Sequence, residues 1–316
     1  MSQRYLVEQI SIEDRDALFE EYKDRFLYEK KANIYGICIK LITDDVFVKD
    51  MWEENFFTMS ENIRSHGRLL VARDQSKALQ VLYDQQSRTA ILLNVDYYGW
   101  VKSLALSTAG DVLEDDHQIY SVHGACVDLN GQGICLIAPP DTGKTTHTYG
   151  LLRLEDARAV SDDWFFVRLY EGEDAVAFGS EKNFYIRADI AKIWHEYKKL
   201  IKGVKFDRKG RAVVNVRWVV GKGNVRPLVT LNKTIILKRD PGDPKIAQKM
   251  SGTDALEYVM AHNYCNPHWL VVSDYKNQIR KAFFSRLFNL TEVYIVNTVE
   301  SPLEVHEEIK KIAKSP

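Results

Sequence analysis

Apolar and polar positions along the chain follow two periods, one helical and one extended. Ser11-Ile-Glu-Asp14 has the form of a capped helix start, and apolar residues follow at Leu18, Phe19, Tyr22, Phe26 and Leu27. That spacing predicts a helix from 11 to about 30. Short apolar runs predict strands at 33–43, 68–72, 78–83 and 89–95, with a short helix over 44–56. Residues 97–107 read as a helix. The runs 124–129 and 133–137 flank Asn130-Gly131, a dipeptide suited to the two positive φ angles of a tight hairpin turn. Farther on, strands are predicted at 159–169, 175–178, 211–220, 234–238 and 293–297, and a turn at 205–210. Helices are predicted at 189–201, 252–261 and 276–290, and Ser301-Pro302 opens a last helix with proline in its first turn. Strands and helices do not alternate strictly. The pattern therefore predicts an α/β (mixed) fold with a mixed sheet rather than a doubly wound one. No Pro/Gly/Ser-rich linker divides the chain; the expected organisation is an N-terminal α/β lobe over 1–115 and a larger unit over 116–316.

Composition changes this picture little. A hydrophobic content of 45% and a charged content of 28% over 316 residues are those of an ordinary globular protein. The 43 basic and 44 acidic residues give a net charge of −1, so no basic excess points to nucleic acid. No apolar run approaches a membrane span, and the polar opening does not resemble a signal peptide, so no membrane partner and a cytoplasmic location are expected. The four cysteines show no metal-binding spacing. A two-residue turn at Asn130-Gly131 would set Cys126 opposite Cys135, with Cα atoms about 4.5 Å apart, near the lower limit for a disulfide. In a reducing cytosol, thiols are expected.

The chemistry concentrates after the hairpin. Ala138-Pro-Pro-Asp141-Thr142-Gly143-Lys144-Thr145-Thr146 is a phosphate-loop pattern with alanine in place of the first glycine. In such a loop, backbone N–H groups face phosphate, the lysine neutralises its oxygens and the Thr145 hydroxyl can ligate Mg²⁺. The helix that follows adds its N-terminal dipole. Asp162 and Asp163 lie one helix and one strand later, where a phosphate loop needs a carboxylate for its metal and a second for a base. His123 precedes the hairpin as a possible acid–base group or metal ligand, or as a structural histidine. His147 has the same ambiguity. Lys102, Arg187 and Arg217 could neutralise a phosphoryl group, but by residue type alone they are three of 43 basic residues.

Several segments together resemble the phosphoenolpyruvate carboxykinase superfamily, including its HPr kinase/phosphorylase branch. Tyr97-Tyr-Gly99-Trp-Val-Lys102-Ser103 is similar to a tyrosine–glycine–glutamate stretch that ends in paired lysines. Val122-His123-Gly-Ala resembles the segment with the family's metal-binding histidine. Asp141-Thr-Gly-Lys-Thr-Thr146 resembles its phosphate loop, and Ser161-Asp-Asp-Trp164 its second kinase motif. Glu181 to Arg187 and Asn215-Val-Arg217 resemble two later segments. The resemblance implies a carboxykinase-like P-loop core with ATP as donor and Mg²⁺ or Mn²⁺ as metal. It places Lys144 and Thr145 on phosphate and metal, Asp162 and His123 at the metal, and Lys102 and Arg217 on the phosphoryl group. Glu181, Tyr185 and Arg187 fall on the substrate side. Ser103 stands where carboxykinases have their second lysine and Trp100 where they have glutamate. The expected activity is therefore an ATP-dependent kinase acting on a hydroxyl of a small-molecule acceptor. A protein-serine kinase like HPr kinase and a nucleotide-binding regulatory module are the alternatives.

Overall fold

The computed structural model describes residues 6–171, 174–207, 209–266 and 268–315. A seven-stranded mixed sheet forms first. Its order in space is Val7–Gln9, Gln80–Asp84, Thr89–Leu93, Gly67–Ala72, Ile37–Thr43, Tyr28–Ile34 and Phe57–Thr58. The helix Ile12–Tyr22 covers its outer face, where Tyr22 meets Ile42, Leu70, Leu82 and Ile91. Ser11 and Asp14 close the capping box that their spacing predicts.

That helix stops well short of residue 30. Tyr28–Ile34 instead pairs antiparallel with Ile37–Thr43, so the predicted strand 33–43 spans the end of one strand, a turn and the whole of the next. The turn is Tyr35-Gly36, with φ of 48° and 83°. The Asn33 side chain holds it by accepting a 2.7 Å bond from the Gly36 N–H. The helix is over-extended because Phe26 and Leu27 continue its apolar spacing although the chain has left the helix after Tyr22.

A nine-stranded sheet holds the second half. The strands Ala157–Ser161, Gly124–Leu129, Gln132–Ile137, Leu228–Lys238, Ala175–Gly179, Phe165–Leu169 and Ile119–Val122 follow in order; Glu292–Asn297 and Ala247–Met250 branch from the fourth. The 11-residue strand Leu228–Lys238 joins the parts. Its first residues pair antiparallel with Ala175–Gly179, and its later ones run parallel to both Gln132–Ile137 and Glu292–Asn297.

Between the two sheets runs the helix Tyr98–His117, buried along most of its 20 residues. A helix apolar on every side needs apolar partners on every side. Leu104, Ala105, Val112 and Leu113 share one core with Ile39, Leu69 and Leu92 of the first sheet and with Ile119 and Phe166 of the second. Its far end is tied to the helix Asp274–Leu290 by Arg280–Glu114 at 3.1 Å and Lys276–Asp111 at 3.0 Å. The helices Gly252–Ala261 and Asp274–Leu290 cover one face of the second sheet through Val259, Phe283, Phe284 and Leu287. Lys144–Leu151 and Pro302–Lys314 cover the other, together with the small pair Phe184–Arg187/Arg211–Val214. Among the described residues no helix is long and apolar enough to cross a membrane.

Three further predicted elements are broken. The run 189–201 divides into Ile190–Ile193, His195–Tyr197 and Lys198–Ile201. Trp194 is extended there because its indole N–H reaches across to the Thr146 carbonyl at 2.7 Å. The strand predicted at 211–220 ends at Val214, and Arg217–Val220 turns into a short helix as the Asn215 side chain accepts from Arg217 N–H. The strand predicted at 159–169 is two strands, Ala157–Ser161 and Phe165–Leu169, with Asp162 and Asp163 in the bend between them. All four cysteines are buried free thiols, and Cys126 does pair in register with Cys135.

Candidate active site

The strand Gln132–Ile137 has a neighbour on each side and delivers the predicted phosphate loop, residues 138–146, from the middle of the sheet. Asp141 and Gly143 take φ of 64° and 93°, and Lys144–Leu151 begins as a helix at once. The Thr142 hydroxyl fixes the loop by donating to the Pro139 carbonyl at 2.8 Å. First-turn N–H groups of a helix lack intrahelical partners, and residues 138–146 all line a cavity of about 530 Å³.

Opposite the loop, one carboxylate holds two cations. Asp163 accepts from Lys102 Nζ on one oxygen and from Lys144 Nζ on the other, each at 2.6 Å. Burial pushes its carboxyl up, but the two lysines outweigh burial and hold it well below the usual carboxylate range. Lys102 is 1% exposed and also lies 3.4 Å from Glu181. Burial pulls its ammonium down, yet Asp163, Glu181 and Asp162 raise it overall, so it stays charged.

The bend that ended the predicted strand separates the two aspartates. Asp163 faces the cavity with 27% of its side chain exposed, whereas Asp162 is 2% exposed. One Asp162 oxygen accepts from the Tyr185 N–H at 3.2 Å; the other has no partner. Glu181 accepts from the Asn55 amide at 2.8 Å and keeps one oxygen unpartnered as well. Burial raises both carboxyls, with Glu181 adding negative charge around Asp162 and Asp163 adding it around Glu181.

His123 donates from Nδ1 to the Cys265 carbonyl at 2.9 Å, because a carbonyl can only accept. Its Nε2 lone pair therefore faces Lys144 Nζ at 3.3 Å. Burial and Lys144 lower its pKa, which keeps the ring neutral. His268 stands 5.6 Å away across an edge-to-face contact, with burial lowering its pKa to about 3. His147 also lines the cavity, and its ring stacks on His306 from the last helix.

A second wall is aromatic and basic. Tyr97, Trp100 and Tyr185 line it, with Lys209 from the turn before the strand Arg211–Val214 and Arg211 from the first position of that strand. The remaining rim includes Asp189, Ile190, Ile193, Arg239, Thr298 and Glu300.

The fold thus brings Lys102, His123, Asp141, Thr142, Gly143, Lys144, Thr145, Thr146, Asp162, Asp163, Tyr185 and Arg187 to one cavity, with Glu181 directly behind Lys102. Arg217 is not among the lining residues; its guanidinium donates to the Lys182 carbonyl at 2.8 Å. Sequence reasoning missed Arg211, Lys209 and His268. For the first two, the signal was a basic cluster at 205–211 beside a predicted turn. The sequence carried none for His268.

Among the described residues, no three His, Cys, Asp or Glu side chains converge to hold a metal by themselves. A divalent cation shared with a nucleotide makes a smaller demand, since Mg²⁺ takes one or two carboxylates and completes its shell with phosphate oxygens and water. The unpartnered oxygen of Asp162, a buried carboxylate beside Asp163 and Glu181, fits that role. The Thr145 hydroxyl and the His123 lone pair are further donors, the latter better suited to Mn²⁺.

No family model matches the chain. Over 215 aligned positions it is 27% identical to the phosphoenolpyruvate carboxykinase (ATP) of Aeropyrum pernix, a match covering 57% of this chain and 42% of that protein. The likeness is to a carboxykinase-like family, at a distance, over a little more than half of the chain.

Proposed function

We propose that the protein is an ATP-dependent kinase that moves the γ-phosphate of a loop-bound nucleotide onto a hydroxyl of a small molecule. The observation that carries this reading is the Asp163 carboxylate held between the phosphate-loop lysine and Lys102. One lysine belongs to the donor side and the other to the second wall, so the bridging carboxylate sits where the two substrates would meet. Lys144 would exchange Asp163 for phosphate oxygens as the nucleotide binds. The Asp163 carboxylate would then be held less far below its ordinary range and could accept the proton of the attacking hydroxyl. An oxygen–phosphorus bond forms to the acceptor, the bond to the leaving ADP oxygen breaks, and Lys102 offsets the charge in transit. Asp162, with Thr145 and His123, would hold Mg²⁺ or Mn²⁺, which when bound neutralises the phosphate charge.

The N-terminal lobe, taken as residues 1–115, would form the acceptor side through Tyr97, Trp100 and Lys102. The relative's name includes carboxykinase chemistry, but Ser103 in place of a metal-binding lysine favours simple phosphoryl transfer here. A screen for ADP release against a metabolite panel, with ATP, GTP and pyrophosphate as donors, tests the reading. Acceptor-dependent release supports it. Labelling of a polypeptide instead would indicate a protein-serine kinase, and nucleotide binding without release a regulatory module.

A further inference from the structure

We propose that the aromatic and basic wall is the acceptor subsite and selects a hydroxylated small molecule bearing an oxyanion, a carboxylate or a phosphate monoester. The inference rests on the kinase reading for which side is the donor's, and takes its chemistry from five side chains. Arg211 is half-buried, with its guanidinium carbon 5.6 Å from the Tyr97 ring centroid. Lys209 Nζ lies 5.1 Å from Tyr97 and 5.9 Å from Trp100. Neither cation has a carboxylate within ion-pair distance among the described residues. The nearby Asp207 is committed elsewhere: it accepts from the Tyr185 hydroxyl and from the backbone N–H groups of Lys209 and Arg211.

Cation–π contact offsets only part of the cost of holding a guanidinium away from water, whereas an oxyanion offsets more through charge-assisted hydrogen bonds. On the other side of the same wall, Lys102 Nζ is 5.5 Å from the Tyr185 ring and bonds to Asp163. An acceptor laid against Tyr97 and Tyr185 would therefore meet a proton acceptor at one end and two unpaired cations at the other. The aromatic faces suit the C–H faces of a short hydroxylated backbone.

Glycerol, glycerate and glycerol 3-phosphate form a matched series for the test: one carbon frame with no anion, a carboxylate or a phosphate. Equilibrium binding is measured on the full chain saturated with ADP and Mg²⁺, so that the phosphate loop is occupied. At least one charged member should bind about tenfold or more tightly than glycerol, the worth of a charge-assisted contact. In Arg211→Gln and Lys209→Met that gap should shrink to about threefold or less. Circular dichroism confirms that both variants are folded. No preference for the charged members, or a preference unchanged in both variants, overturns the inference. Oxyanion binding without ADP release from any acceptor leaves the subsite standing and removes the kinase reading. ADP release with neutral alcohols alone does the reverse.

Discussion

Lys102 Nζ meets Asp163 at 2.6 Å while only 1% of the Lys102 side chain is exposed. It reaches Asp163, Glu181 and Asp162 from the long buried helix, while Lys144 meets Asp163 from the loop side. Removing one partner from a buried charge cluster leaves the others uncompensated, at a cost of about 3–5 kcal/mol. Lys102→Met should lose about that much at neutral pH in urea unfolding. The folded-state pKa values of the remaining acids would rise further, so the native state would bind more protons than the unfolded one. The defect should accordingly shrink as pH falls from 7 to 5. A loss that is the same at both pH values would mean that packing, not charge, is what Lys102 supplies.

Lys144 and Asp163 make opposite predictions for nucleotide binding. On the proposed function, Lys144→Ala would remove a charge-assisted contact to phosphate and should weaken ATP binding by about 10- to 100-fold in calorimetric titration. Asp163→Asn removes the carboxylate that competes with phosphate for the same ammonium, so binding should be unchanged or tighter. Phosphoryl transfer by Asp163→Asn should nonetheless fall by about 100-fold or more, as expected when a general base is lost. Equal weakening in both variants would show that Asp163 does not compete for Lys144.

What could be read in the sequence is local. The hairpin at Asn130-Gly131 was legible because its turn residues carry their own conformational signal, and φ of 54° and 87° follow. The phosphate loop is a contiguous pattern, and its strand and helix stand on either side of it. Elements decided by distant contacts were not legible. Trp194 interrupts a helical run because its indole is anchored to Thr146, 48 residues away. The bend falls at the polar Ser161-Asp162-Asp163 inside what reads as one strand, and it turns one aspartate to the cavity and buries the other. Arg211 and Arg217 lie within one predicted strand. Only the length of the ladder with Phe184–Arg187 determines that Arg211 lines the cavity and Arg217 does not.

His147 and His306 stack at 6.1 Å, and Trp194 packs on the second of them. Burial first, then His306 beside His147 and Arg153 beside His306, lower their pKa values to about 3 and about 4. Unfolding restores ordinary values, so below pH 6.5 the unfolded chain binds protons that the native one does not. Their contribution is complete above pH 6.5 and is lost as pH falls toward 4. Each such histidine adds a slope of about 1.4 kcal/mol per pH unit in that window. The double variant His147→Gln/His306→Gln should flatten the wild-type stability curve between pH 6 and 4 by at least one histidine's slope. Parallel curves would exclude the pair as a source of acid sensitivity.

Gly131 and Gly133 stand two residues apart at the start of the strand that delivers the phosphate loop, and they are glycine for different reasons. Gly131 has φ of 87° with nothing within 4 Å of where a Cβ would lie. Its need is conformational, and asparagine tolerates that region, so Gly131→Asn should cost less than about 1 kcal/mol. Gly133 has no unusual φ, but a Cβ there would come within 2.4 Å of the Thr230 carbonyl oxygen. The register of the parallel ladder to Leu228–Lys238 also shifts between Gly133 and Ile134. The obstacle is backbone, which cannot rotate away as a side chain would. Gly133→Ala should therefore force the two strands apart and cost about 3 kcal/mol. Because this ladder carries the phosphate loop, nucleotide affinity should fall together with the urea midpoint in Gly133→Ala and remain at the wild-type value in Gly131→Asn. Equal stability of the two variants would mean that the strands adjust and that the close approach is not what requires glycine at 133.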